Sequence, residues 1–132
     1  MKWTAALLLS VLVPFGASAD CAGIEGGETI AGERASVSMR TAPSVPRVDG
    51  FFVIEVQTCG RDGEPARLVA ADAVMVAHGH GMNYTPEIED RGEGRYRISG
   101  MLFHMQGRWE LRFDVETAAG GERLTRGVDA SF

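Results

Sequence analysis

Every histidine of the chain, His78, His80 and His104, falls between residues 78 and 105, together with Met82, Met101 and Met105. Imidazole nitrogen and thioether sulfur, with no thiolate or carboxylate among them, make a soft-to-borderline ligand set. Thioether selects Cu(I), and imidazole suits Cu(II) and Zn. The first cluster is His78-Gly79-His80-Gly81-Met82. In an extended segment residues i, i+2 and i+4 point to one side, which would give two imidazoles and a thioether a common face. Gly79 and Gly81 remove side chains that would crowd an ion and let the backbone bend. The second cluster is Met101-Leu102-Phe103-His104-Met105. Neighbours in a strand point to opposite sides, so His104 and Met105 can both ligate only if residues 101–107 are irregular, and otherwise His104 is the first choice. Copper is the expected ion, with zinc on His78, His80, His104 and a water as the competitor. Ligation needs neutral imidazole, so affinity should fall as the pH drops below roughly 6.5. Against this stands the plainer account that three histidines gather by chance and loop methionines only fill space.

The elements that must position these residues read as strands. Residues 109–117 alternate Trp109, Leu111, Phe113 and Val115 with charged or polar neighbours, the pattern of a strand with one buried face. Residues 51–58 repeat it, with Phe52, Ile54 and Val56 as the inward set. Further strand runs fall at 35–41, 68–77, 87–90, 96–100 and 124–132, with a helical turn allowed inside the Ala-rich 68–77 run. Met39 and Met75 lie in these runs and should pack. Turn residues separate the runs: Pro43 to Pro46 with Asp49-Gly50, Arg61-Asp62-Gly63 with Pro65, Gly92-Glu93-Gly94, and Ala119-Gly120-Gly121. About seven short strands in a hundred residues point to an all-β, immunoglobulin-like antiparallel β-sandwich. Two antiparallel traverses, along 87–90 and back along 96–100, should return the chain to the end it left. Both His/Met clusters then sit on loops at one end, with Cys59 at the other.

Residues 1–19 read as a cleavable signal peptide: Lys2, an apolar stretch from Thr4 to Phe15, and Ala17-Ser18-Ala19 as the cleavage site. Asp20 before Cys21 is the wrong neighbour for lipid attachment. Taking those residues, which carry Lys2 and no acid, from 132 residues at −5 leaves a single domain, residues 20–132, of 113 residues at −6. The mature chain holds no membrane-spanning stretch, and a periplasmic or secreted location is expected. Such a compartment favours a Cys21–Cys59 disulfide over two free thiols. An acidic chain with no Lys/Arg run is a poor nucleic-acid binder. An enzyme is not expected either. No Ser or Cys stands beside a His in a nucleophile motif, and the Gly-rich turns lack a phosphate-loop lysine. Glu87 and Glu89 read as a solvated strand face. The Asn83-Tyr84-Thr85 sequon is short enough to recur by chance.

The segments HGHGMNYTPEI and RGEGRYRISGMLFHMQGRWELRFDV, within residues 78–115, resemble the YtkA-like domain family, which shares a broader pattern with FixH-type proteins. The resemblance spans about 38 of the 113 mature residues. It implies an immunoglobulin-like sandwich in exported or membrane-anchored bacterial proteins, often linked to copper handling or oxidase assembly. The chain departs from that pattern at Ala77 and Gln106, where relatives commonly carry Pro, and in a cleavable signal where FixH-type proteins carry an anchor. Two functions follow as expectations. One is a periplasmic copper-binding protein, a chaperone or scavenger, with His78, His80 and His104 as primary ligands and Met82, Met101 or Met105 completing a Cu(I) site. The other is a metal-free interaction module that offers Met82, Tyr84, Met101, Leu102, Phe103 and Met105 to a partner protein. An electron-transfer copper centre is disfavoured, because no Cys lies near the histidines.

Overall fold

Alternation of apolar and polar side chains sets the architecture of the computed structural model, which describes residues 21–132. The expected signal segment and its cleavage site lie outside the described residues. The strands are β1 (Glu28–Ala31), β2 (Ala35–Ala42), β3 (Phe51–Gly60), β4 (Arg67–Met75), β5 (His80–Gly81), β6 (Glu87–Asp90), β7 (Arg95–Leu102), β8 (Gly107–Thr117) and β9 (Gly120–Ala130). They form two antiparallel sheets, ordered β1-β2-β3-β7-β6 and β5-β4-β8-β9. With β1 and β5 set aside, the remaining seven reproduce the ABED and CFG sheets of the immunoglobulin constant-type sandwich.

The inward faces are the ones alternation assigns. Trp109, Leu111, Phe113 and Val115 of β8 and Phe52, Ile54 and Val56 of β3 are buried, and Met39 and Met75 join the same core. Burying an aliphatic or aromatic side chain of this kind contributes roughly 1.5–3 kcal/mol. This facing set is what holds the sheets together.

Two strands exceed the expected seven. β1 is four residues with no buried position, so it carries no amphipathic signal. Backbone pairing with β2 alone defines it, Glu28 opposite Met39 through Ala31 opposite Ser36. β5 is a two-residue strand inside the first His/Met cluster, pairing His80 with Met75 and Gly81 with Val74. The 68–77 run also ends earlier than expected. β4 stops at Met75, and Val76–His78 form a single 3-10 turn closed by Gly79 in the left-handed region at φ 67°. At the C-terminus the strand expected from 124 begins at Gly120, because Ala118 and Ala119 make a two-residue turn between Thr117 and Gly120.

The chain changes sheet twice at one end of the sandwich, through residues 82–86 between β5 and β6 and through 103–106 between β7 and β8. The His/Met clusters sit at these crossings. The opposite end carries the Cys21–Cys59 disulfide, with a Cα–Cα distance of 6.0 Å. Phe51, the first residue of β3, faces Leu102 beside the second crossing, and Cys59 lies near the strand's other end. At about 3.3 Å per residue the bridge and the histidines are roughly 25 Å apart along β3.

Candidate metal centre

Each imidazole is set by a different device. His80, on β5, is held by pairing with Met75 of β4 and is half-buried. Its Nδ1 lies 3.1 Å from the Gly81 carbonyl oxygen. A carbonyl can only accept, so in this bond Nδ1 carries the proton and the Nε2 lone pair is left for a ligand. His104 stands in the irregular segment between β7 and β8, the condition under which its side chain and that of Met105 need not oppose each other. Its Nδ1 is buried without a hydrogen-bond partner. Buried polar atoms are almost always paired; of the two unpartnered side-chain ones among the described residues, Gln57 Nε2 and His104 Nδ1, only the imidazole nitrogen is of a type that ligates metals.

The rings come together as counting the traverses requires. His80 and His104, far apart in sequence, have ring centroids 5.3 Å apart. His78 is 5.8 Å from His80 but exposed, at the end of the 3-10 turn. The common extended face expected for His78, His80 and Met82 does not form, because the left-handed Gly79 turns the backbone between the two histidines. That residue meets the expectation that glycine lets the backbone bend. Gly81 does not, since its φ is ordinary and a Cβ there would make only normal contacts.

The three methionines separate. Met105 is 38 % exposed beside His104, and its backbone carbonyl accepts a 3.0 Å hydrogen bond from the Trp109 indole N–H. Met82 is half-buried and packs on the rim of the core. Met101 is fully buried on β7 opposite Phe52 and belongs to the core cluster. Among the described residues, no three His, Cys, Asp or Glu side chains are placed to hold one metal ion. What converges is a pair of imidazoles, with Met105 next in the chain to one and Met82 two residues beyond the other.

Trp109 is the residue that sequence reasoning missed here. It sits 5.3 Å from His104 and 6.0 Å from His80, steeply inclined to both rings, and it is completely buried. In the sequence it is merely the first inward residue of an alternating strand, and nothing in that pattern distinguishes a site wall from core. Gly107, two residues earlier, is favoured by its backbone. It has φ 134°, and a Cβ there would come within 2.8 Å of the Met75 methyl.

The same end exposes large apolar groups. Phe51 and Tyr84 pack edge to face at 5.2 Å while remaining 61 % and 50 % exposed, and Val76 lies open on the 3-10 turn. No known protein family, characterised protein or solved structure matches the chain.

Proposed function

We propose that this is an exported copper-binding protein that holds Cu(I) at the crossing end of its sandwich, as a chaperone or scavenger rather than an enzyme. His80 and His104 are the primary ligands, and the thioethers of Met105 and Met82 complete the set. His78, exposed and adjacent, is the group that meets the ion first. The observation that carries this reading is the imidazole pair: His80 with its proton held by Gly81, and His104 with a buried nitrogen that has no partner. Two imidazoles and soft sulfur suit Cu(I), whereas structural zinc takes four N, S or O ligands in a closed tetrahedron. The resemblance of residues 78–115 to the YtkA-like family supports the same reading. Met101 is left out of the ligand set because its side chain is part of the core.

Anaerobic Cu(I) titration against a chromophoric competitor tests it. Wild type takes up one equivalent. His80→Ala/His104→Ala loses at least about a hundredfold in affinity, since even an outer-shell partner of a ligand is worth about 10- to 100-fold. Equal binding by the two proteins refutes the site.

The exposed apolar groups at this end favour a second reading, a docking surface for a partner protein used without metal. A partner retained in chelator and released by Phe51→Ser/Tyr84→Ser supports that alternative.

A further inference from the structure

We infer that Trp109 is a working part of the ion site, selecting a soft monovalent cation over a hydrated divalent one; the inference rests on the proposed site at His80 and His104. Three observations lead to it. First, the indole forms a triangle with the two imidazoles, with centroid separations of 5.3, 6.0 and 5.3 Å. A cation held between those imidazoles falls within the ~6 Å over which an aromatic ring attracts positive charge, and tryptophan is the strongest of the aromatic partners. Second, the indole N–H is already committed to the Met105 carbonyl, so the indole has no polar group left to offer the imidazoles or an ion between them. Third, Phe103 stacks on Trp109 at 5.0 Å and 27°, and the indole is wholly shielded from solvent. Water does not compete at that wall.

A ring of this kind acts differently on the two ions. Cu(I) is content with two imidazoles and a thioether and carries no obligatory water, so a polarizable wall adds attraction. Zinc held by the same two imidazoles must fill its tetrahedron with water or other donors. An indole whose only polar group is used elsewhere offers none.

The test uses the full chain carrying Trp3→Phe, which leaves Trp109 as its sole indole. Ag(I), a redox-inert stand-in for Cu(I), and Zn(II) are titrated separately while indole emission and near-ultraviolet difference absorbance are recorded. Bound ion is counted by equilibrium dialysis. One equivalent of Ag(I) is expected to quench most of the emission and produce a red-shifted indole band, with little change on Zn(II). Adding Trp109→Phe should weaken Ag(I) by about three- to tenfold and leave Zn(II) unchanged, because Phe keeps the packing and part of the ring's attraction. Stoichiometric Ag(I) binding with unaltered indole spectra overturns the role of Trp109 and leaves the imidazole site standing. Absence of Ag(I) and Cu(I) binding overturns both. Should Trp109→Phe fail to fold, the spectra of the Trp109 protein decide the matter alone.

Discussion

At the disulfide end of the sandwich the turns are tied down by hydrogen bonds and the buried nitrogen left without a partner is the amide of Gln57, whereas at the crossing end it is an imidazole nitrogen, a group that can ligate a metal. Around the disulfide, the Glu122 carboxylate on β9 accepts three backbone N–H bonds, from Glu33, Arg34 and Ala35 at 2.7–2.8 Å. Arg34 returns a bond to the Gly121 carbonyl. The Thr58 hydroxyl donates to Ala66 at 2.7 Å, and its backbone N–H donates to Gly94. The shifted carboxylates follow the same pattern. The backbone donors hold Glu122 below the ordinary carboxylate value, and the Arg123 guanidinium does the same for Asp114. At the crossing end His104 keeps an unpaired buried nitrogen and Phe51, Tyr84, Val76 and Met105 stay open. One end is built to hold the chain together, and the other keeps groups available.

If the ends are independent, each can be broken without the other. The largest effect on stability belongs to the bridge. Cys21→Ser/Cys59→Ser releases a loop of 38 residues and should cost about 4 kcal/mol in thermal or denaturant unfolding, with ion affinity unchanged wherever the protein is folded. A matched loss of affinity would show that the ends are coupled. The converse variant, His80→Ala/His104→Ala, should lose about a hundredfold in Cu(I) affinity with little change in Tm. A subtler variant sharpens the contrast. His104→Phe removes the orphaned nitrogen while keeping a flat ring, and should raise stability by about 1 kcal/mol, seen as a Tm a few degrees higher, while weakening the ion site. A fall in Tm would show that this nitrogen is satisfied in solution. The smallest effect is the pH-dependent one. The folded-state pKa of Glu122 lies below its usual 4.5, so its contribution is complete above that value and is lost as the pH falls through the folded-state pKa. The Tm difference between wild type and Glu122→Ala should be full at pH 6 and close as the pH is lowered. A difference that persists unchanged in acid would assign the clamp to packing instead of charge.

Much of this division could be read from the chain. The inward faces of β3 and β8 follow from alternation, because a sheet with one buried face leaves no other arrangement. The meeting of His80 and His104 follows from two antiparallel traverses, and the pairing of Cys21 with Cys59 at the far end was expected from compartment and topology alike. What escaped depends on backbone detail or on neighbours remote in sequence. β1 has no apolar rhythm, so only its ladder to β2 reveals it. The 3-10 turn displaces His78 from the extended line because Gly79 adopts φ 67°, a conformation that glycine permits without announcing. Met101 and Met105 look equivalent in the sequence, yet β7 carries the first into the core before the ladder ends and leaves the second outside. Trp109 reads as core because it is core, and its second face is visible only once the crossings bring both imidazoles against it.

The two-residue length of β5 matters in another respect. It forms one border of the four-stranded sheet but pairs only with Val74 and Met75, so residues 67–73 of β4 keep free N–H and C=O groups along that border. The opposite border, β9, is eleven residues long and carries Glu122, Arg123, Arg126 and Asp129, whose charges discourage edge-to-edge pairing with another chain. The strand that holds His80 in place thus closes its own border only at the crossing end, so the half-buried imidazole stands where the backbone of β4 is already paired.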